Sequence, residues 1–184
     1  MAKANISKPA LFFSPTYKSP QGSSLFAKLT EPDVFQGGEP TWKITLVFDP
    51  KDPEFVAFQS QVSDFAQAFS KECGKKVDPL KSIGIDKNTG LPCMTFKSKV
   101  RLDDAGRNVK IPIVDATKTA IDKEPWNGDL CRVAFKFGGW QSALGVGIKP
   151  YLSAVQVLER RPKSTFNNID VFDSTPVVTD ECPF

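Results

Sequence analysis

One stretch of this 184-residue chain repeats its large apolar residues with a helical period, and nearly all the other structure the sequence announces is strand. Phe55, Phe58, Val62, Phe65 and Phe69 recur at spacings of three and four, the stripe by which a helix faces a core. Asp52 can cap this helix, Pro53 suits the first position, where its missing N–H costs nothing, and Gly74 supplies a stop. The spacing therefore predicts a helix over 53–73 whose phenylalanines belong to the core and not to a ladder for stacked ligands. Just before it, Trp42, Ile44, Leu46 and Phe48 alternate with Lys43, Thr45 and Val47, the period of a strand with one face buried. Strands are expected again at 93–101, 107–114, 130–137 and 145–158, separated by turn material at 103–106, 115–128 and 138–143. Residues 11–27 read as two short strand-like pieces broken by a turn, and 74–92 as a loop. At least five strands with one helix between the early and late ones specify a mainly β fold. A five-stranded Greek-key barrel of OB type fits the order, and a β-sandwich fits the bare pattern too.

Composition closes off several classes of function. The four cysteines are widely and irregularly spaced and no histidine exists to complete a zinc site, so neither a metal nor a disulfide framework is expected. Without histidine the commonest general base and triad member is missing as well. No cofactor is expected. The longest apolar stretches, 44–48 and 133–137, fall far short of the ~20 residues of a membrane helix. Residues 1–10 carry two lysines but no apolar run or cleavage site, so the expected location is the cytoplasm, with reduced thiols.

The net charge of +3 hides an asymmetry. Residues 162–184 hold Lys163 against Asp170, Asp173, Asp180 and Glu181, a net −3, which leaves +6 on residues 1–161. Beyond Arg161 prolines and polar residues dominate and periodicity stops, so this segment buries too little to offset its ordering entropy. The expected organisation is a basic OB-fold domain over 1–161 followed by a flexible acidic tail over 162–184 that ends in Phe184. A basic body of this kind fits a polyanionic partner.

The most informative strand is 95–101, where Lys97, Lys99 and Arg101 share one face while Phe96, Ser98 and Val100 share the other. Like charges on alternate positions repel, and a phosphate backbone relieves that repulsion by neutralising them and releasing counterions. Lys110 on the next expected strand, Arg132 and Lys136 either side of Ala134, and Lys149 on the last extend the basic surface. Single strands also require exposed rings on which bases stack. Trp140, placed directly after Gly138 and Gly139 in an expected turn, is the leading candidate, followed by Tyr151, in phase with Lys149, and Trp126 in a loop. Phe135 and Phe137 fall opposite Lys136 and read as core, while Trp42 fits either environment.

Residues 128–159, GDLCRVAFKFGGWQSALGVGIKPYLSAVQVLE, resemble the late-strand region of the single-stranded-DNA-binding proteins of tailed bacteriophages, best known from T-odd coliphages. The turn with its Trp followed by a GVG-type strand is the most specific part. Residues 27–35, AKLTEPDVF, and the strand 41–48 resemble the early region of that family, so the likeness covers most of 24–160. The last five residues, Asp180, Glu181, Cys182, Pro183 and Phe184, are similar to the acidic, Phe-terminated tip of bacterial and phage single-stranded-DNA-binding proteins. The resemblance implies an OB barrel that binds single-stranded DNA without catalysis, in replication, recombination and repair inside a host cell. It implies a tip (Asp180, Glu181, Pro183, Phe184) that recruits replication and recombination enzymes, and a homodimer. The sparse charge of the tail departs from the long acidic runs of T-odd proteins and argues against strong competition with DNA. Two other readings fit the residues: a phage structural or adaptor protein that binds only proteins, and a metal-dependent nuclease using Asp103, Asp104 and Asp115.

Overall fold

A computed structural model describes residues 12–142 and 145–161; the tail, with Asp180, Glu181, Pro183 and Phe184, lies outside the described residues. The elements in chain order are β1 (Tyr17–Lys18), β2 (Gly22–Asp33), β3 (Thr41–Val47), α1 (Pro53–Cys73), a 3-10 turn (Pro79–Ser82), β4 (Gly84–Ile85), β5 (Pro92–Lys99), β6 (Ile113–Val114), β7 (Leu130–Ser142) and β8 (Gly145–Glu159).

Five of these strands close on themselves. β2 pairs β3, β3 pairs β5, β5 runs parallel to β8, β8 pairs β7 along its length, and β7 returns to β2 through Gly22↔Cys131 and Ser23↔Leu130. Closure with this Greek-key order is the OB barrel and excludes the sandwich. The short strands flank it: β1 along β7, β4 along β5 and β6 along β8. Alternate residues of every barrel strand fill the interior, including Ile44, Leu46, Met94, Phe96, Val133, Phe135 and Val155, all at most 1% exposed. Trp42 joins them, its indole N–H donating to the Val109 carbonyl at 3.0 Å.

The helix forms where the sequence places it. Asp52 accepts from the Glu54 N–H at 2.8 Å, Pro53 opens the first turn, and Gly74 ends the last at φ 66°, a left-handed conformation that glycine adopts without a Cβ penalty. Its stripe packs against β7: Phe58 meets Phe135 edge-on at 5.9 Å and Phe65 stacks on Phe137 at 5.3 Å. Along the other edge of β7, buried Ser14 and Ser19 each bond its backbone, their hydroxyls accepting from Phe137 N–H at 2.8 Å and Val133 N–H at 2.9 Å.

Several expectations change. Residues 138–142 are not a turn but the continuation of β7, so Trp140 is a strand residue opposite Gly147. The strand expected at 93–101 stops at Lys99, leaving Arg101 beyond its end. The strand expected at 107–114 reduces to Ile113–Val114, because Asp103 ties residues 102–108 into a tight hairpin by accepting from the N–H groups of Ala105 and Arg107. Residues 74–92 are less of a loop than expected, since they hold the 3-10 turn and β4. The two pieces within 11–27 are β1 and the start of β2, which runs on to Asp33.

Candidate nucleic-acid interface

The outer surface of the barrel takes its character from cross-strand register. Lys28 on β2 faces Lys43 on β3, Lys43 faces Lys97 on β5, Lys97 faces Tyr151 on β8, and Tyr151 faces Lys136 on β7. Four lysines and a tyrosine thus form one row across all five barrel strands, roughly 19 Å wide at the usual spacing of ~4.8 Å between strands. Lys28, Lys97 and Lys136 are exposed, whereas Lys43 is half-buried and bonds Asp33 at 2.7 Å. That hydrogen bond, with further attraction from Lys28 and Lys97, holds the Asp33 carboxyl below the usual carboxylate range. Unpaired lysines in register repel one another, and a single carboxylate among four cations leaves the row strongly positive.

Rings lie beside the row, and two glycines seat them. A Cβ at Gly138 would come within 2.4 Å of the Tyr151 ring and 2.8 Å of the Phe13 ring, so both sit directly on bare backbone. Phe13 and Tyr151 meet edge-on at 5.6 Å, and Phe13 remains 48% exposed. A Cβ at Gly147 would lie 2.9 Å from the Trp140 ring, and the Lys149 ammonium stands 5.4 Å from that ring's centroid, a cation–π contact. Trp140 and Lys149 line an open groove with Thr95, Cys93, Gly84 and Lys81. Thr45 and Thr95 share a hydrogen bond at 2.8 Å next to the row. At the far side, exposed Lys99 pairs with Glu39, whose hydrogen bond raises the lysine's pKa, and Phe35 stands 72% exposed at the β2–β3 connection.

The candidates from sequence therefore separate into groups. Lys97, Lys136, Trp140, Lys149 and Tyr151 converge on this surface, and Lys99 borders it. Arg132 does not serve as a free cation, because its guanidinium bonds Glu54, in the first turn of α1, at 2.6 and 2.8 Å. Arg101 and Lys110 are exposed but stand in the connection after β5, not on barrel strands. Missed were Lys28, Lys43 and Phe13. Lys43 was visible only as the polar half of an alternating strand, and its partners Lys28 and Lys97 are 15 and 54 residues away in sequence.

Two of the three carboxylates offered for catalysis, Asp103 and Asp115, shape turns. Asp103 accepts from Arg107, backbone and side chain, and Asp115 from the Thr117 hydroxyl and the Thr117 and Thr119 N–H groups; these bonds hold both carboxyls below their ordinary range. Each shapes its own turn. Among the described residues no three His, Cys, Asp or Glu side chains cluster so as to hold a metal ion, and no helix is long and apolar enough to cross a membrane.

No protein-family model matches the sequence, and no curated protein does. Solved structures do resemble the fold. The single-stranded DNA binding protein gp2.5 encoded by bacteriophage T7 superposes with a TM-score of 0.66 at 15% identity, covering 84% of this chain and 97% of that one. The single-stranded DNA-binding protein of bacteriophage Enc34, solved in complex with single-stranded DNA, gives 0.63 at 16% identity over 80% of this chain and 88% of that one. Its C-terminally truncated form gives 0.62 at 17% identity, over 80% and 87%. At these identities the likeness is one of fold.

Proposed function

We propose that the chain binds single-stranded DNA without regard to sequence and without catalysis, along the lysine–tyrosine row. The observation that carries this reading is the register itself, which lines up Lys28, Lys43, Lys97 and Lys136 across five strands with Tyr151 among them. Ammonium groups contact phosphates, and ring faces stack on any base, so neither reads base identity. The fold likeness to two phage proteins named for single-stranded DNA binding, one of them solved on its ligand, supports the same reading. In this account the protein protects single strands during phage replication, recombination and repair in the host cytoplasm. The tip Asp180, Glu181, Pro183 and Phe184 recruits the enzymes of those processes, and removing it should abolish their capture while leaving DNA affinity in place.

Titrating oligo-dT while following tryptophan fluorescence tests the reading. Binding should quench Trp140 and weaken steeply with salt, with a slope of about −0.7 per phosphate neutralised. Lys97→Ala should lower affinity and flatten that slope by about 0.7. Absence of binding at low salt would reject the proposal in favour of an adaptor that contacts only proteins.

A further inference from the structure

β2 carries a bulge where Phe26 adopts φ 51°, a left-handed conformation rare in residues other than glycine, and its ring is 58% exposed. A large apolar side chain held outward by an unfavourable backbone is costly twice over, once in conformation and once in exposed ring surface. The bulge frees the Phe26 N–H from the ladder, and the Asn127 side chain accepts it at 2.9 Å. Next to Asn127 stands Trp126, 50% exposed. The loop that carries it is fastened along β2: the Glu124 carboxylate accepts from the Leu29 and Thr30 N–H groups at 2.8 and 3.1 Å, and Gly128 N–H donates to the Ser24 carbonyl at 2.7 Å. Buried Asp129 fixes the other side, accepting from Trp126 N–H, Arg160 and Arg161 N–H. Phe26 therefore stands two residues from Lys28, the outermost lysine of the row, with the Trp126-bearing loop hydrogen-bonded beside it and the Arg161 guanidinium against Gly128 of that loop.

We infer that Phe26 and Trp126 form a second stacking station, over which a single strand leaving the row past Lys28 continues around the edge of β2. The inference rests on the row being the DNA-binding face. Charge favours nucleic acid here: Lys28 lies two residues from Phe26, Arg161 packs on Gly128 of the Trp126 loop, and that loop's Glu124 and Asp129 carboxylates accept backbone N–H groups. Strands too short to reach both stations engage only the row.

The test compares oligo-dT of about four and about sixteen nucleotides, the limits of OB-fold site sizes, on the full chain. Trp126→Ala and Phe26→Ala should each weaken the long oligomer by about 5- to 150-fold, the value of one stacked base, and leave the short one unchanged. Phe26→Gly, which relaxes the left-handed backbone, should show the same loss, separating the ring's role from the fold of the bulge. Equal loss on both lengths overturns the inference. So does no loss on either while Lys97→Ala still weakens both, which would assign the rings to a protein partner. If Lys97→Ala has no effect either, the DNA-binding face itself is misplaced and the station falls with it.

Discussion

Two adjacent glycines in β7 have opposite duties. The missing Cβ of Gly138 makes room on the outer surface for Tyr151 and Phe13, whereas that of Gly139 makes room for Phe69, with which a Cβ would collide at 2.5 Å. Gly138→Ala should therefore displace the rings beside the row and lower oligo-dT affinity by about fivefold or more, with stability much less affected. Gly139→Ala should overpack the contact between β7 and α1 and cost about 1–3 kcal/mol in urea denaturation. A reversal of the two effects would show that the rings on Gly138 are structural. In sequence this pair read as a turn, because glycines adjacent to a tryptophan carry no sign of what crosses over them. The lysines of β5 were legible by alternation alone. Lys28 and Lys43 were not, since register between strands distant in sequence is settled by the whole barrel.

At the scale of elements, the sequence was most readable where one signal was reinforced by another. The helix had a stripe, a cap, a proline and a stop, and it spans Pro53–Cys73 as expected. Replacing its cap, Asp52→Ala, should cost about 1 kcal/mol of stability without altering oligo-dT affinity, a difference visible in parallel denaturation and binding curves. Where only alternation was available, the boundaries shifted. Residues 107–114 carry the strand pattern, yet Asp103 wins the local competition for backbone N–H groups and folds the segment into a hairpin. β7 outruns its expected end because its pairing with β8 persists through Gly138↔Lys149 and Trp140↔Gly147. Arg132 illustrates the limit on the site: its alternation with Lys136 was correct, but the ion pair to Glu54 depends on where the helix docks.

For the molecule as a whole, the described residues, 12–142 and 145–161, form a closed barrel on which register lines four lysines into one band. The number and order of strands admitted a barrel and a sandwich alike, and the pairing of β2 with β7 decides for closure; the band was legible only in part. If this band is the DNA-binding face, lysine acetylation with and without saturating oligo-dT reveals it. Bound DNA should protect Lys28, Lys97 and Lys136 together, with half-buried Lys43 following them, while Lys51, Lys71 and Lys87, exposed near the helix ends and in the turn before β5, react as in the free protein. Protection spread evenly over all these lysines, or confined to those outside the row, would place the DNA elsewhere on the protein.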